Sequence, residues 1–277
     1  MTEPEPCWAC AGPTRPTDTL APHPFLACAA CGLRFRPDVT PEAAQAVYAT
    51  GDYGAGLHEQ VYISPETMPQ RRREARMRLA FATGGVRPDA RLLDIGAAGG
   101  IFVDEARRAG WPADGVEPDP AFVAYARDAI GVELTRGTIE TFDPPSRSLD
   151  VVTMWHVLEH IARPLPQLQR VREWLAPGGR LVVEVPNAAS APARTLGPAW
   201  PAAQPDVHVA QYTPRALERL MQRAGYEVAV LRTLPGDHYY RLRERLAPAN
   251  LAHVAKWRWR RGGGELLVVR AQPRAGA

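Results

Sequence analysis

Lysine is almost absent from this sequence of 277 residues: Lys256 is the only one, and arginine supplies nearly all of the positive charge. The formal net charge is +3, which is too small to predict nucleic-acid binding by itself. No apolar run reaches the roughly 18 residues that a membrane-spanning helix needs, and the acidic start lacks the apolar segment of a signal peptide. Sequence repeats that would predict a solenoid or a propeller are also lacking. We therefore expect a soluble, cytoplasmic protein.

Cysteine is scarce as well, and its four residues form two Cys-x-x-Cys pairs, Cys7/Cys10 and Cys28/Cys31, with 17 residues between the pairs. Each short turn directs two thiolates toward one point, so that two turns complete a tetrahedral shell of four thiolates. The alternatives are two disulfides or four free thiols, and a reducing compartment disfavours the disulfides. Because a closed four-cysteine site has no open coordination position, the pattern predicts a structural zinc ion in a zinc ribbon at residues 1–36.

Residues 37–90 are predicted to connect the ribbon to the main domain as a linker and a helical segment on the substrate side. Pro41 to Tyr48 favours a short helix. Arg71 to Ala82 favours a second helix, which ends at a glycine pair and is expected to pack through Met77, Leu79, Ala80 and Phe81. Tyr48, Tyr53 and Tyr62 lie in or near the glycine-containing loop between them.

Residues 91–277 alternate between short apolar strands and amphipathic helices. Strands are predicted at residues 91–95, 113–117, 132–135, 149–154, 180–185, 226–231 and 266–269. Helices are predicted at residues 101–109, 120–130, 165–175 and 214–224. This alternation predicts an α/β, Rossmann-like domain: a parallel sheet with helices on both faces, and a ligand at the carboxyl ends of the strands.

A glycine-rich turn, Asp94–Gly100, joins the first predicted strand of this domain to its helix. The dinucleotide fingerprint fits it badly because Ala98 and Ile101 take the places of its second and third glycines, and there is no Walker lysine. Glu117 ends the next strand, 23 positions after Asp94, where a carboxylate can accept both ribose hydroxyls. A solvated strand end is the alternative for Glu117, so the pattern favours, but does not establish, a nucleoside site.

Two further runs, Leu149–His160 and Leu175–Asn187, complete the pattern. With them, residues 70–232 resemble the class I S-adenosylmethionine-dependent methyltransferases, in the broad group that includes the ubiquinone O-methyltransferases. Ala98 departs from the glycine that is common in that family. The resemblance implies S-adenosylmethionine as cofactor. It places the methionine end of the cofactor at Asp94, Gly96, Ala97 and Gly100, and the ribose at Glu117. It places the adenine at Pro118, Thr138, Ile139 and Glu140, and the sulfonium at Trp155 and His156.

Methyl transfer from a sulfonium requires an aligned acceptor and often the removal of a proton. If a helix begins near Trp155, then His156, Glu159 and His160 share one of its faces, and His208 follows in a later loop. In one hypothesis His160 is the general base and the other three orient it. In another, these four residues bind a divalent metal, an arrangement that resembles the small-RNA terminal 2′-O-methyltransferases. In a third, Glu159 and His160 are structural.

The predicted reaction is methyl transfer to oxygen or carbon of a small molecule: a metabolite, a natural product or a sugar precursor. A zinc ribbon ahead of the methyltransferase domain resembles the order in deoxysugar C-methyltransferases, which use tyrosines after the ribbon. Tyr48, Tyr53 and Tyr62 occupy a comparable stretch. The alternative is that these tyrosines serve only in packing. One alternative is an RNA methyltransferase whose ribbon binds nucleic acid. In that case the basic, aromatic stretch Tyr239–Arg261 could contact the RNA; otherwise it is a solvated helix. Another is a non-catalytic, cofactor-binding scaffold. A small-molecule acceptor is the expected partner, a membrane is not, and a homodimer is left open.

Overall fold

The computed structural model describes residues 5–51, 64, 66–235 and 263–274. Two of the tyrosines singled out above, Tyr53 and Tyr62, and the stretch Tyr239–Arg261 lie outside these ranges. Within the described ranges, no helix is long and apolar enough to cross a membrane.

The cysteine module (residues 5–36) is a small antiparallel sheet with the two Cys-x-x-Cys turns at its end. Its strands are β1 (Thr14–Thr17), β2 (Phe25–Cys28) and β3 (Arg34–Phe35). A fourth strand, which the sequence did not predict, pairs with β3 and comes from far along the chain: β9 (Ala210–Gln211). The module is therefore tied by its sheet to the loop that precedes the last described helix.

The main domain is a seven-stranded sheet in the order β10-β11-β8-β7-β4-β5-β6. Its strands are β4 (Leu92–Ile95), β5 (Ala113–Glu117), β6 (Thr135–Arg136), β7 (Leu149–Trp155), β8 (Leu175–Pro186), β10 (Tyr226–Leu234) and β11 (Leu266–Pro273). The helices are α1 (Pro41–Ala49), α2 (Met68–Thr83), α3 (Ile101–Arg108), α4 (Pro120–Tyr125), α5 (Leu165–Trp174), α6 (Ala191–Leu196) and α7 (Pro214–Arg223). The Rossmann-like α/β fold predicted from the sequence is confirmed.

Helices cover both faces of this sheet because neighbouring residues of a strand point to opposite sides. In β7, Val152 belongs to a core cluster that includes residues of α5 and α7 and extends to Trp8 and Phe35 of the cysteine module. The adjacent Val151 belongs to a second cluster with residues of α2 and α3. The cysteine module thus shares a hydrophobic core with the main domain.

Three local predictions were wrong. The sheet is mixed, since β11 runs antiparallel to both β8 and β10, and antiparallel neighbours need no crossover helix. Residues 132–134 are not in a strand, although Val132 and Leu134 are buried; β6 begins only at Thr135. Met77, expected on the packed face of α2, is 64% exposed, whereas Leu79, expected on the same face, is buried.

The chain after β7 also differs from the prediction of a helix beginning near Trp155. The strand runs through Trp155, and the only helical turn between β7 and α5 is a 3-10 turn at Leu158–His160. His156 has φ +58°, a left-handed conformation that a side chain with a Cβ adopts rarely. His156 therefore does not share a helix face with His160, and the two imidazoles lie in different surroundings.

Candidate active site

A cavity of about 290 Å³ opens at the carboxyl ends of the parallel strands β4, β5 and β7. Ligands of open α/β sheets bind at this edge. Most of the residues predicted for the cofactor and the acceptor line the cavity: Asp94, Gly96, Ala97, Glu117, Pro118, Thr138, Ile139, Glu140, Trp155, His156, His160 and His208, together with the departing Ala98 and the acceptor-side Tyr48. Two predicted residues, Gly100 and Glu159, are not in its lining.

The glycine-rich turn after β4 is shaped by one close approach, by two glycines with positive φ and by a hydrogen bond to Glu117. A Cβ on Gly96, which has φ +70°, would lie 2.4 Å from Val157 Cγ2, so a larger residue would displace the chain after β7. Gly100 has φ +75° and begins α3, where its role is to turn the chain. Ala98 adopts φ +45°, and its backbone N–H donates a hydrogen bond to Glu117 Oε2 at 2.7 Å. The turn thereby fixes Glu117.

Glu117 is 5% exposed and accepts a second hydrogen bond, from the backbone N–H of Asp119 to Oε1 at 3.0 Å. Burial raises the pKa of Glu117 to about 7, although both backbone hydrogen bonds oppose this shift. Each carboxylate oxygen has two lone pairs, so both oxygens retain capacity for a ligand hydroxyl. The arrangement fits a ribose diol at this edge of the cavity.

Asp94, at the end of β4, is also buried, and its Oδ1 accepts a hydrogen bond from Thr153 Oγ1 at 2.6 Å. Burial raises the pKa of Asp94 to about 7, with the Thr153 hydrogen bond and the charge of Arg78 acting against the shift. Two buried carboxyl groups therefore face one cavity, which suits a ligand that carries hydroxyl groups and a positive charge.

Trp155 lines the cavity and contacts the ring of Phe102 and the guanidinium group of Arg78. Its ring lies 5.4 Å from that of Phe102, and the Arg78 guanidinium carbon lies 5.1 Å from its centroid. Such contacts are favourable at these distances. The sequence did not single out Arg78, whose position on α2 gave no sign that it reaches the cavity.

A buried chain of charges runs from Arg78 through Glu184 and His156 to Glu159. Arg78 Nη2 forms an ion pair with Glu184 Oε1, which lies 3.3 Å from His156 Nε2. His156 Nδ1 lies 3.2 Å from Glu159 Oε1. Burial lowers the pKa of His156, but the two carboxylates outweigh this effect and the pKa lies above its ordinary value. The two carboxylates therefore favour the protonated form of His156, which also lines the cavity; its place beneath a sulfonium stays a prediction.

Glu184 was missed by the sequence analysis although a signal was present. It is a carboxylate within the apolar run of β8 and is 3% exposed, and buried charges in strands are rare unless they are paired. Its partners could not be read from the sequence because one lies directly after β7 and the other on α2.

Glu159, His160 and His208 form a compact cluster: one ligand-type atom from each lies within 4.8 Å of the others. Although burial raises the pKa of Glu159, its bond to His156 outweighs that effect, so that its pKa lies below the ordinary value. Burial and the neighbouring His208 lower the pKa of His160 to about 3, and burial also lowers the pKa of His208. At neutral pH the cluster is one carboxylate with two neutral imidazoles.

Backbone carbonyls orient the two imidazoles. His208 Nδ1 lies 2.9 Å from Ala202 O, and His160 Nδ1 lies 3.1 Å from Val207 O. A carbonyl only accepts, so these two contacts favour the tautomer with the proton on each Nδ1 and a lone pair on each Nε2. The Tyr48 hydroxyl lies 2.6 Å from the same His160 Nδ1 and completes its surroundings. The two Nε2 atoms are thus prepared to accept a proton or to coordinate a metal.

One face of α1 forms the wall beside this cluster. Pro41, Ala44, Gln45 and Tyr48 line the cavity, and their spacing of i, i+3, i+4 and i+7 is that of a single helix face. Pro41 and Ala44 are apolar and Tyr48 adds an aromatic ring, so the cavity has a largely apolar side next to its imidazoles. The substrate-side position predicted for residues 37–90, and the boundaries of that segment, stay predictions.

The four cysteine sulfurs lie within 4.8 Å of one another at the end of the cysteine module. Cys7 Sγ and Cys31 Sγ are 3.5 Å apart, as are Cys10 Sγ and Cys28 Sγ. This separation is too long for a disulfide bond and close to the roughly 3.7 Å between sulfurs around a tetrahedral zinc ion. The donor set and its geometry therefore fit a zinc site with four thiolate ligands.

Several contacts tie the cysteine module to the loop that carries His208. Beyond the β3–β9 pairing, the Arg36 N–H donates to Val209 O at 2.9 Å, and Arg36 Nη1 donates to Pro205 O at 3.2 Å. Thr213 Oγ1 donates to Cys31 O at 2.6 Å. The position of His208, and of the Val207 carbonyl that orients His160, consequently depends on the folded module.

Comparisons with known proteins agree with this geometry. A family model described as "Methyltransferase domain" matches residues 67–231, which is more than half of the chain. The chain therefore belongs to this methyltransferase family, of the class I type that uses S-adenosylmethionine.

Two curated relatives are ubiquinone biosynthesis O-methyltransferases. The protein from Cereibacter sphaeroides (strain ATCC 17025 / ATH 2.4.3) is 33% identical over 102 residues, or 35% of this chain and 41% of the relative. The mitochondrial protein of Schizosaccharomyces pombe is 32% identical over 101 residues, or 34% of this chain and 36% of the relative. The matched part thus spans about two fifths of the length of these relatives.

Solved structures share the fold at low identity. The 1,6-didemethyltoxoflavin-N1-methyltransferase of Burkholderia thailandensis, solved with S-adenosylhomocysteine, has a TM-score of 0.57 and 18% identity, covering 94% of this chain and 99% of its own. The geranyl diphosphate C-methyltransferase of Streptomyces coelicolor A3(2) has a TM-score of 0.57 and 17% identity, covering 85% and 99%. At these identities the likeness is one of fold.

Proposed function

We propose that this protein transfers the methyl group of S-adenosylmethionine to an oxygen or a carbon atom of a small molecule. One observation carries the proposal: Glu117, suited to a ribose, lines the same cavity as His160 and His208, which are suited to an acceptor. S-adenosylmethionine supplies an electrophilic methyl group when it is bound. The chain's own residues bind the nucleoside through Glu117, hold the acceptor against α1 and exclude water.

A phenolic hydroxyl is the first acceptor to test. The apolar face of α1 suits a ring, and a phenol has a pKa near 10, so its attack is assisted by removal of the proton. The curated relatives, named as ubiquinone biosynthesis O-methyltransferases, support the same choice. The test is an assay with methyl-labelled S-adenosylmethionine against catechols, simple phenols and sugar nucleotides. Label transfer to none of them by protein that binds the cofactor would contradict a small hydroxylated acceptor.

We propose that His160 accepts the acceptor's proton. Its Nε2 keeps a lone pair in the neutral imidazole. Because burial lowers the pKa of His160 to about 3, the proton transfer requires the nearby Glu159 carboxylate to stabilise the imidazolium as it forms. We expect His160→Gln to lower kcat by about 10²–10⁴-fold and to leave the affinity for S-adenosylmethionine within about threefold of wild type.

Tyr48→Phe is the matched control, because it removes only the hydroxyl that contacts His160 Nδ1 and keeps the ring on the cavity wall. We expect it to cost less than the loss of the imidazole. An unchanged kcat in His160→Gln would exclude His160 as the base.

The same cluster supports a second candidate role, the binding of a divalent metal. Glu159 Oε2 is buried and has no hydrogen-bond partner among the described residues, and both imidazoles hold Nδ1–H against a carbonyl, as metal-bound histidines commonly do. Calorimetry with Mg²⁺, Mn²⁺ and Zn²⁺ on zinc-loaded protein distinguishes the roles. A site that is lost in His208→Gln, with activity that follows its occupancy, would favour the metal over the base.

Cofactor affinity should increase as the pH rises through about 7. Glu117 and Asp94 both have pKa values raised to about 7, so below that pH each is increasingly neutral and accepts hydroxyls or a positive charge poorly. Above pH 7, both groups are already ionised when the ligand binds, so they accept hydroxyl hydrogen bonds and attract a positive charge. Calorimetry between pH 6 and 8, in buffers of different ionisation enthalpy, should show tighter binding at the higher pH and proton release near neutrality. A pH-independent affinity would contradict this.

We further propose that Cys7, Cys10, Cys28 and Cys31 bind one structural zinc ion. Zinc content after gel filtration tests this directly, with one equivalent expected. Four points stay predictions: the RNA methyltransferase alternative, the scaffold alternative, the homodimer and the cytoplasmic location. Methylation of small molecules in preference to RNA would exclude the RNA methyltransferase alternative.

A further inference from the structure

A second cavity, of about 410 Å³, lies between the cysteine module and α7. It shares no lining residue with the candidate active site. The module contributes Cys10, Gly12, Ala30 and Cys31, and the opposite wall is strongly basic: Arg215, Arg219, Gln222, Arg223 and Arg274.

The basic wall is built by a regular spacing. Arg215, Arg219 and Arg223 stand at i, i+4 and i+8 on α7, so their side chains share one face over about 12 Å of helix. All three and Arg274 are exposed, and none of the four forms an ion pair with any carboxylate in the described ranges. Only Arg223 is anchored, since its Nη1 donates to Trp8 O at 2.9 Å.

Zinc at the neighbouring cysteines does not account for this charge. A zinc ion with four thiolates carries two negative charges, whereas the cavity wall carries four positive ones. An excess of positive charge therefore remains at the mouth of the cavity, and the cavity offers room for an anion.

We propose that this cleft binds a ligand with two or more phosphate groups. Guanidinium groups match phosphate oxygens in bidentate geometry, and the roughly 12 Å line of arginines suits phosphates placed in series rather than a single ion. A nucleic-acid strand and a small diphosphate both present this chemistry. The inference rests on this cleft alone and stands apart from the acceptor of the methyl group.

The test is binding of two probes to the full, zinc-loaded chain at low ionic strength: a short fluorescent single-stranded RNA, followed by anisotropy, and inorganic pyrophosphate, followed by calorimetry. The variant is R215A/R219A, because neither side chain has a partner among the described residues whose loss would disturb folding. The matched control is R73A/R232A, which removes the same charge from two exposed positions outside the cleft.

We expect R215A/R219A to weaken binding by about tenfold or more, to reduce the salt dependence of RNA binding by about two phosphate contacts and to keep the circular dichroism of wild type. R73A/R232A should bind within about twofold of wild type. Tight RNA binding with weak pyrophosphate binding identifies a strand, and comparable binding of both identifies a small diphosphate. Absence of binding by both probes, or equal losses in both double variants, would overturn the proposal.

Discussion

Replacing Glu117 with alanine is expected to lower the affinity for S-adenosylmethionine by at least about a hundredfold. Two hydroxyl hydrogen bonds to a buried carboxylate are each worth about 1.5–3 kcal/mol, and their loss together corresponds to a factor of about 10²–10⁴. Calorimetric titration at pH 8, where Glu117 is ionised, measures the effect.

Alanine also leaves the N–H groups of Ala98 and Asp119 without their acceptor, at a cost of about 1–3 kcal/mol each. Glu117→Gln is therefore the second variant, because its amide oxygen still accepts one of these bonds while its negative charge is gone. Glu133→Ala, an exposed carboxylate outside the cavity, is the matched control. Unchanged affinity in a folded Glu117→Gln would show that the ribose is not bound there.

Removing zinc is expected to lower methyl transfer by about a hundredfold or more while cofactor affinity stays within about threefold. The reason is the connection between the cysteine module and the loop of His208. Strand β9 exists only as the partner of β3, and Arg36 holds Val209 and Pro205 by hydrogen bonds. Glu117 and Asp94 lie instead on β5 and β4, within the main sheet.

The sequence offers a clean way to perform this experiment. All four cysteines belong to the module, so a thiol-reactive reagent that displaces zinc acts nowhere else in the chain. Zinc release is followed with a metal-sensitive dye, and activity and cofactor binding are measured on the same sample. Full activity in zinc-free protein would contradict the dependence of His208 on the module. A parallel loss of cofactor binding would show that zinc supports the whole fold.

The grouping of the predicted cofactor residues at one edge of the sheet could be predicted because it depends on local sequence. Gly96 and Glu117 stand at the ends of adjacent parallel strands, and strand ends meet at one edge of a sheet. The positive φ of Gly96 and the close approach of Val157 explain why the turn needs glycine at that position. A strand–turn–helix pattern was enough to bring these groups together.

The acceptor side depended on pairings that no local pattern encodes. His156 meets Glu184 because β7 and β8 are neighbours in a register that places Trp155 beside Glu184. Strand β9 has two residues, too few for a periodicity to be recognised. The helix expected at Trp155 is absent because the left-handed His156 changes the chain direction there, with its N–H donating to Glu184 O at 2.9 Å.

The most direct test of the account is titration of the folded, zinc-loaded wild-type protein with S-adenosylmethionine at pH 8. The account predicts one site per chain and competition by S-adenosylhomocysteine, with binding strongly reduced in Glu117→Gln. A folded protein that binds neither compound would contradict the central claim, because the Glu117 cavity would then serve some other ligand.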